Sequence, residues 1–126
     1  MNIKNKRILL TGGAGFIGST LAQKLINDNE ILIYDNFARD SISNKKISSK
    51  NLRIVKDDIL NLDSLKKTCE DFKPQIVVHM AAIAGIDTVI INPVRTLDVN
   101  INGTLNLLKA LEKYSAKLER VLDFST

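Results

Sequence analysis

Residues 11–19 read TGGAGFIGS, and the residues on either side decide what those glycines do. The apolar run RILLT (7–11) precedes them, and a segment with Ile17, Leu21 and Leu25 at four-residue spacing (16–27) follows. This is a strand, a tight turn and the opening of a helix. Gly12, Gly15 and Gly18 recur at every third position. In such a turn one glycine permits the bend, one lets the backbone approach a pyrophosphate, and one allows the helix to pack closely on the sheet. The helix N-terminus then offers unpaired N–H groups and a partial positive charge to the phosphates.

Working outward, EILIYD (30–35) is a second strand ending in Asp35, roughly 17 positions after Gly18. That is near the separation at which a carboxylate accepts the ribose hydroxyls of a bound adenosine. Such a carboxylate repels a 2′-phosphate, which favours NAD over NADP, although Arg39 stands close by. A polar tract (36–51) without periodicity reads as one long, mobile loop. LRIVKDD (52–58) is a third strand, LDSLKKTCEDF (62–72) a helix capped by Asp63 or Ser64, and PQIVVHMAA (74–82) a fourth strand. An irregular stretch (83–96) leads to a long helix over about 98–115, with Ile101, Leu105, Leu108 and Leu111 at helical spacing. ERVLDFS (119–125) closes as a fifth strand. Alternation of short apolar runs with helical periods predicts an α/β fold, a Rossmann-like doubly wound parallel sheet with its strands covered on both faces.

Ligands in such sheets lie beyond the carboxyl ends of the strands. Asp57 and Asp58 therefore become candidates for the adenine amino group, and the small Ala81 and Ala82 leave room where a bulky side chain would block a cofactor. His79 has the titration range of a general base, but an apolar strand with no evident acidic partner favours a structural role.

Composition narrows the function further. The chain has 126 residues, 44% apolar and 25% charged, enough for one domain over 1–126. One cysteine and one histidine allow neither an internal disulfide nor a histidine-cysteine metal cluster, which fits a reducing cytoplasm. The opening MNIKNKR lacks the apolar core of a signal peptide, and no run approaches the roughly 20 apolar residues of a membrane span. The net charge of +4 is dispersed among carboxylates rather than gathered in a stripe, which argues against nucleic acid as a partner.

The blocks TGGAGFIGS, YDNF, KDDI, HMAA, VNINGTLNLL and DFST, in this order, resemble the extended short-chain dehydrogenase/reductase family, specifically its NAD-dependent nucleotide-sugar epimerases and dehydratases, with the UDP-glucose 4-epimerase group as the best match. The likeness runs over nearly the whole chain. It implies that Gly12, Gly15 and Gly18 cradle the pyrophosphate, with Phe16 and Ile17 presenting N–H groups, and that Asp35 with Asn36 holds the adenosine ribose. Asp58 and Ile59 contact adenine, Ala81 and Ala82 line the floor beneath the nicotinamide side, and Asn100 lies near the cofactor. Ser125 approaches the nicotinamide, and Thr126 hydrogen-bonds the reacting sugar oxygen. Asn102 and Thr104 read as helix packing and surface polarity. The resemblance also implies a homodimer formed through helices around 98–115.

Two departures qualify these implications. Many members carry a basic residue and then a serine where this chain has Asp87 and Val89. The family's Tyr-x-x-x-Lys is missing: four residues beyond Tyr34 and Tyr114 stand Ala38 and Leu118. A tyrosine near pKa 10 is a poor base at neutral pH unless a neighbouring cation lowers it. The expectation is an N-terminal NAD-binding part of a longer enzyme, without its sugar-binding domain, inactive alone and prone to associate through its last strand. A stand-alone dinucleotide-binding module and a purely structural oligomerisation domain are the alternatives.

Overall fold

The computed structural model describes residues 2–114 and 116–124. Five strands, β1 Arg7–Thr11, β2 Glu30–Asp35, β3 Leu52–Lys56, β4 Ile76–His79 and β5 Arg120–Asp123, form one parallel sheet in the order β3-β2-β1-β4-β5. The chain winds outward from β1 to β3 and then returns to the other side of β1. The crevice at that reversal opens between the carboxyl ends of β1 and β4, where Thr11 pairs with His79.

Alternation along the central strands supplies two cores. Ile8 and Leu10 of β1 join Ile31 and Ile33 of β2 beneath the helix α1, Phe16–Leu25. Leu9, Leu32 and Val77 point the other way, against α3 Leu62–Phe72 and α6 Gly103–Glu112. Burying each such side chain contributes about 1.5–3 kcal/mol. Coverage on both faces holds for β1, β2 and β4 but not for the edges. Arg53, Ile54 and Lys56 of β3 are exposed, as are all four residues of β5.

The structure corrects several other expectations. The tract 36–51 holds a helical turn, α2 Ile42–Lys45, whose Ile42 is buried while Phe37 and Ile47 pack beside it. Asp40 accepts from the Ile42 and Ser43 N–H groups and the Ser43 hydroxyl, which holds its pKa below the usual carboxylate value. Asn61, not Asp63 or Ser64, caps α3 by accepting from the Ser64 N–H at 3.2 Å. The stretch 83–96 is largely helical: α4 Ile86–Ile91 is followed by α5 Pro93–Leu97, capped by Asn92. The long helix thus begins at Pro93, passes through a π-helical turn, Asp98–Asn102, and ends at Glu112. Among the described residues no helix is long and apolar enough to cross a membrane, and no acidic, histidine or cysteine cluster is placed to hold a metal ion.

His79 is buried in β4 between threonines of two other elements. Its Nδ1 lies 2.6 Å from Thr11 Oγ1 and its Nε2 2.9 Å from Thr104 Oγ1 of α6. Burial lowers its pKa, opposed by the charge of Asp123 on β5. An unfolded chain then takes up a proton near pH 6.5 that the folded chain refuses, so stability falls as pH drops through that value towards the folded pKa. The melting temperature should decline between roughly pH 7.5 and 5.5, and His79→Gln should flatten that decline. A Cβ on Gly18 would lie 2.6 Å from Gly13 Cα, where only backbone could yield. Gly18→Ala should therefore cost about 1–3 kcal/mol in urea unfolding.

Candidate functional site

The crevice is built around the turn from β1 to α1. Gly12 has φ +70°, and its N–H donates to the Tyr34 carbonyl at 2.9 Å. A Cβ there would stand 2.7 Å from the Met80 carbonyl and the Ala81 nitrogen, so the turn lies directly against the end of β4. Gly15 is the N-cap of α1 and offers no side-chain acceptor, and the first turn carries no acidic residue. The first N–H groups of the helix, including those of Phe16 and Ile17, are left pointing outward with the positive end of the dipole. The side chains of Phe16 and Ile17 are largely exposed. Lys45 lies over the Phe16 ring at 5.4 Å and donates to Thr20 Oγ1, adding a cation beside the helix start.

Asp35 stands at the carboxyl end of β2. One carboxylate oxygen accepts from the Ala14 N–H at 2.9 Å and the other from the Phe37 N–H at 2.7 Å. A carboxylate has about four lone-pair positions, so two remain for further donors. Asn36 is exposed, and its side-chain oxygen accepts from the Ala38 N–H in a local turn. Arg39 Nη2 lies 3.5 Å from the Ala84 carbonyl. The Ser41 N–H donates to the Ala14 carbonyl at 2.8 Å, fastening the polar tract to the glycine turn.

Beyond β3 the Asp58 carboxylate accepts from the Leu60 N–H at 2.9 Å and from Arg95 of α5, and its carbonyl accepts from the Tyr34 hydroxyl at 3.1 Å. Ile59 is buried against Gly103, which leaves only its backbone to face a ligand. Asp57 is held below the usual carboxylate range, chiefly by the Ser64 side chain and then by the Asp58 N–H. On the opposite wall, Ala81 is half-buried and Ala82 exposed. Asn100, in the π turn, grips the next residue at both ends: its Oδ1 accepts from the Ile83 N–H at 2.8 Å and its Nδ2 donates to the Ile83 carbonyl at 3.0 Å. The sequence-derived site residues from Gly12 to Asn100 fall on the turn after β1, the start of α1, the ends of β2, β3 and β4, and the π turn, while Ser125 and Thr126 lie outside the described residues.

Several residues of this crevice escaped the sequence reading. Gly13 is needed because a Cβ would meet the Ile33 and Leu10 side chains at about 3 Å. Ala14, Ser41 and Arg95 contribute through backbone or cross-element bonds that no spacing announces. Thr104, read as helix packing and surface polarity, does pack within its helix by bonding the Asn100 carbonyl, but it also bonds the buried His79. Asn102 does bond only Asp98 at the surface. Tyr34 is no base, since burial raises its pKa to about 12. Burial likewise raises Cys69 to about 12, leaving an inert thiol. Surface grooves beside α3, one against β3 and one against α6, share no residue with the crevice.

Known proteins are similar in sequence and fold. A putative UDP-glucose 4-epimerase of Methanocaldococcus jannaschii is 38% identical over 109 residues, covering 85% of this chain and 34% of that protein. An epimerase structure from Methanothermobacter thermautotrophicus superposes with a TM-score of 0.89 at 31% identity, over 98% of this chain and 36% of that one. The Thermus thermophilus UDP-glucose 4-epimerase, solved with NAD, gives 0.77 at 34% identity over 86% and 34% of the two chains. This chain therefore spans about a third of the length of the relatives it matches. The profile of the NAD dependent epimerase/dehydratase family matches residues 8–126, and the chain belongs to that family.

Proposed function

We propose that residues 1–126 form the NAD-holding unit of a nucleotide-sugar epimerase or dehydratase acting in the cytoplasm. The observation that carries this reading is Asp35: it is fixed to the glycine turn through Ala14 and keeps two acceptor positions beside an uncapped helix N-terminus. That pairing suits a ligand with ribose hydroxyls at one end and a diphosphate in the middle. Gly12, Gly15 and Gly18 shape the cradle, the Phe16 and Ile17 N–H groups meet the diphosphate, and Asp35 with Asn36 takes the adenosine ribose. Asp58 and the Ile59 backbone receive the adenine edge. Ala81, Ala82 and Asn100 form the opposite floor, with Ser125 beside the nicotinamide and Thr126 towards the sugar.

NAD, when bound, supplies reversible hydride acceptance from a sugar carbon. The chain's own residues hold and orient it, and Ala81 and Ala82 leave the space above the floor clear. Neither tyrosine supplies a base: Tyr34 is in the core, and Tyr114 lies beside α3 at the end of α6. A second reading, a dinucleotide-binding module without chemistry of its own, rests on the same glycine turn and Asp35 and requires the same NAD binding. Leu97, Ile101, Leu105 and Leu108 are exposed along the α5–α6 surface at helical spacing, which supports a homodimer through this face.

Isothermal titration should show saturable NAD binding, with NADP weaker. Asp35→Asn, which keeps an acceptor oxygen but loses the charge, should weaken NAD binding roughly tenfold or more. Equal binding by the variant would remove Asp35 from the site. In sedimentation equilibrium the chain should be dimeric and Leu105→Lys monomeric.

A further inference from the structure

The buried histidine is tied into the crevice more closely than the cofactor reading requires. Thr104 Oγ1 has a single proton and lies 3.0 Å from the Asn100 carbonyl, which can only accept. That proton goes to Asn100, so the 2.9 Å contact between Thr104 and His79 Nε2 must carry the histidine's proton. Nδ1 is then an acceptor and takes the Thr11 hydroxyl proton at 2.6 Å, while the Met80 N–H donates to the Thr11 carbonyl at 2.9 Å and reaches Thr11 Oγ1 at 3.3 Å. In the other tautomer the Thr104 oxygen would face the Asn100 carbonyl with lone pairs on both sides. The Thr11 hydroxyl would also lose its acceptor in a fully buried position.

The bonds therefore run in one direction: Met80 N–H to Thr11, Thr11 to His79, His79 to Thr104, Thr104 to the Asn100 carbonyl. Asn100 in turn clamps Ile83 by both its N–H and its carbonyl. The π turn contributes by setting Asn100 within reach of that segment, a use for which single-turn π insertions recur at functional sites. Residues 80–83 thus hang between two anchors of the same network, with the glycine turn pressed against their start.

We propose that His79 is a positioning residue of the dinucleotide site: as the neutral Nε2–H tautomer it fixes Thr104 and Asn100, and through them the Ala81–Ile83 floor on the side away from adenine. The proposal rests on dinucleotide binding at the glycine turn and assigns His79 no proton transfer to a ligand.

Nitrogen-15 NMR of the imidazole at neutral pH should find the proton on Nε2. Titrations with NAD and with ADP-ribose, which lacks the nicotinamide, then separate the two ends of the site. Thr104→Val should weaken NAD roughly fivefold, the loss of about one hydrogen bond, and leave ADP-ribose unchanged. Thr104→Ser should restore it. His79→Gln, whose amide can donate where Nε2–H does, should bind NAD more tightly than His79→Asn, which cannot reach. Circular dichroism and melting establish that each variant is folded; should Thr104→Val fail to fold, the histidine pair carries the comparison. A proton on Nδ1, equal NAD affinity across folded variants, or parallel losses for NAD and ADP-ribose would each overturn the proposal. A wild-type chain that binds neither ligand would overturn the dinucleotide reading itself and this proposal with it, whatever the tautomer.

Discussion

The contact on which the rest of the crevice depends is the seating of Gly12 against the Met80–Ala81 peptide. Two parallel strands leave the sheet side by side there, and their continuing backbones approach to within the space of one missing Cβ. With any larger residue the turn would have to lift, the start of α1 would tilt away from the sheet, and Gly18 would lose its fit over Gly13. The positive φ of Gly12 and the steric gap are separate demands met by one residue, and they act at the point where the sheet reverses its winding.

From that seat the crevice is laced by bonds between distant parts of the chain. Ala14 joins the turn to Asp35, Ser41 joins the polar tract to Ala14, and Tyr34 holds the carbonyl of Asp58. Each strand end is fastened to its neighbour before any ligand arrives. A site so prepared does not spend binding energy on ordering loops, which is the physical content of preorganisation. Arg95 extends the lacing from Asp58 to α5, which runs on into the π turn that carries Asn100.

The central fold was legible because burial on both faces writes itself as continuous apolar runs, as in RILLT and EILIYD. The edges were not. Arg53 and Ile54 of β3 face solvent, and a strand paired on one side only has no need of a full apolar complement. The region after His79 was misread for a different reason: α4 exposes Ile86, Ile90 and Ile91 and buries none of its residues, so helical burial leaves no period to detect. The Asn92-Pro93 pair, a cap followed by a first-turn proline, was the signal that went unused. The glycines and Asp35 could be picked out because turn geometry and spacing after two strands constrain them, whereas Asn100 came only from the family resemblance. Thr104 was not, because its partner lies 25 residues away on another element, and only the fold brings a helix hydroxyl to a strand imidazole.

Charge completes the account of why this crevice suits one kind of ligand. At the start of α1 the unpaired N–H groups and Lys45 create a positive region; at the end of β2, a short distance along the same edge, Asp35 presents a negative one. A simple phosphate would be drawn to the first and repelled by the second. A neutral polyol would satisfy Asp35 and leave the helix N-terminus bare. On the proposed reading, a molecule carrying both hydroxyls and a diphosphate would use both. The Ala14 and Phe37 N–H groups bound to Asp35 fix its carboxylate, so on the proposed reading the glycine turn would shape the phosphate end and orient the ribose end at once.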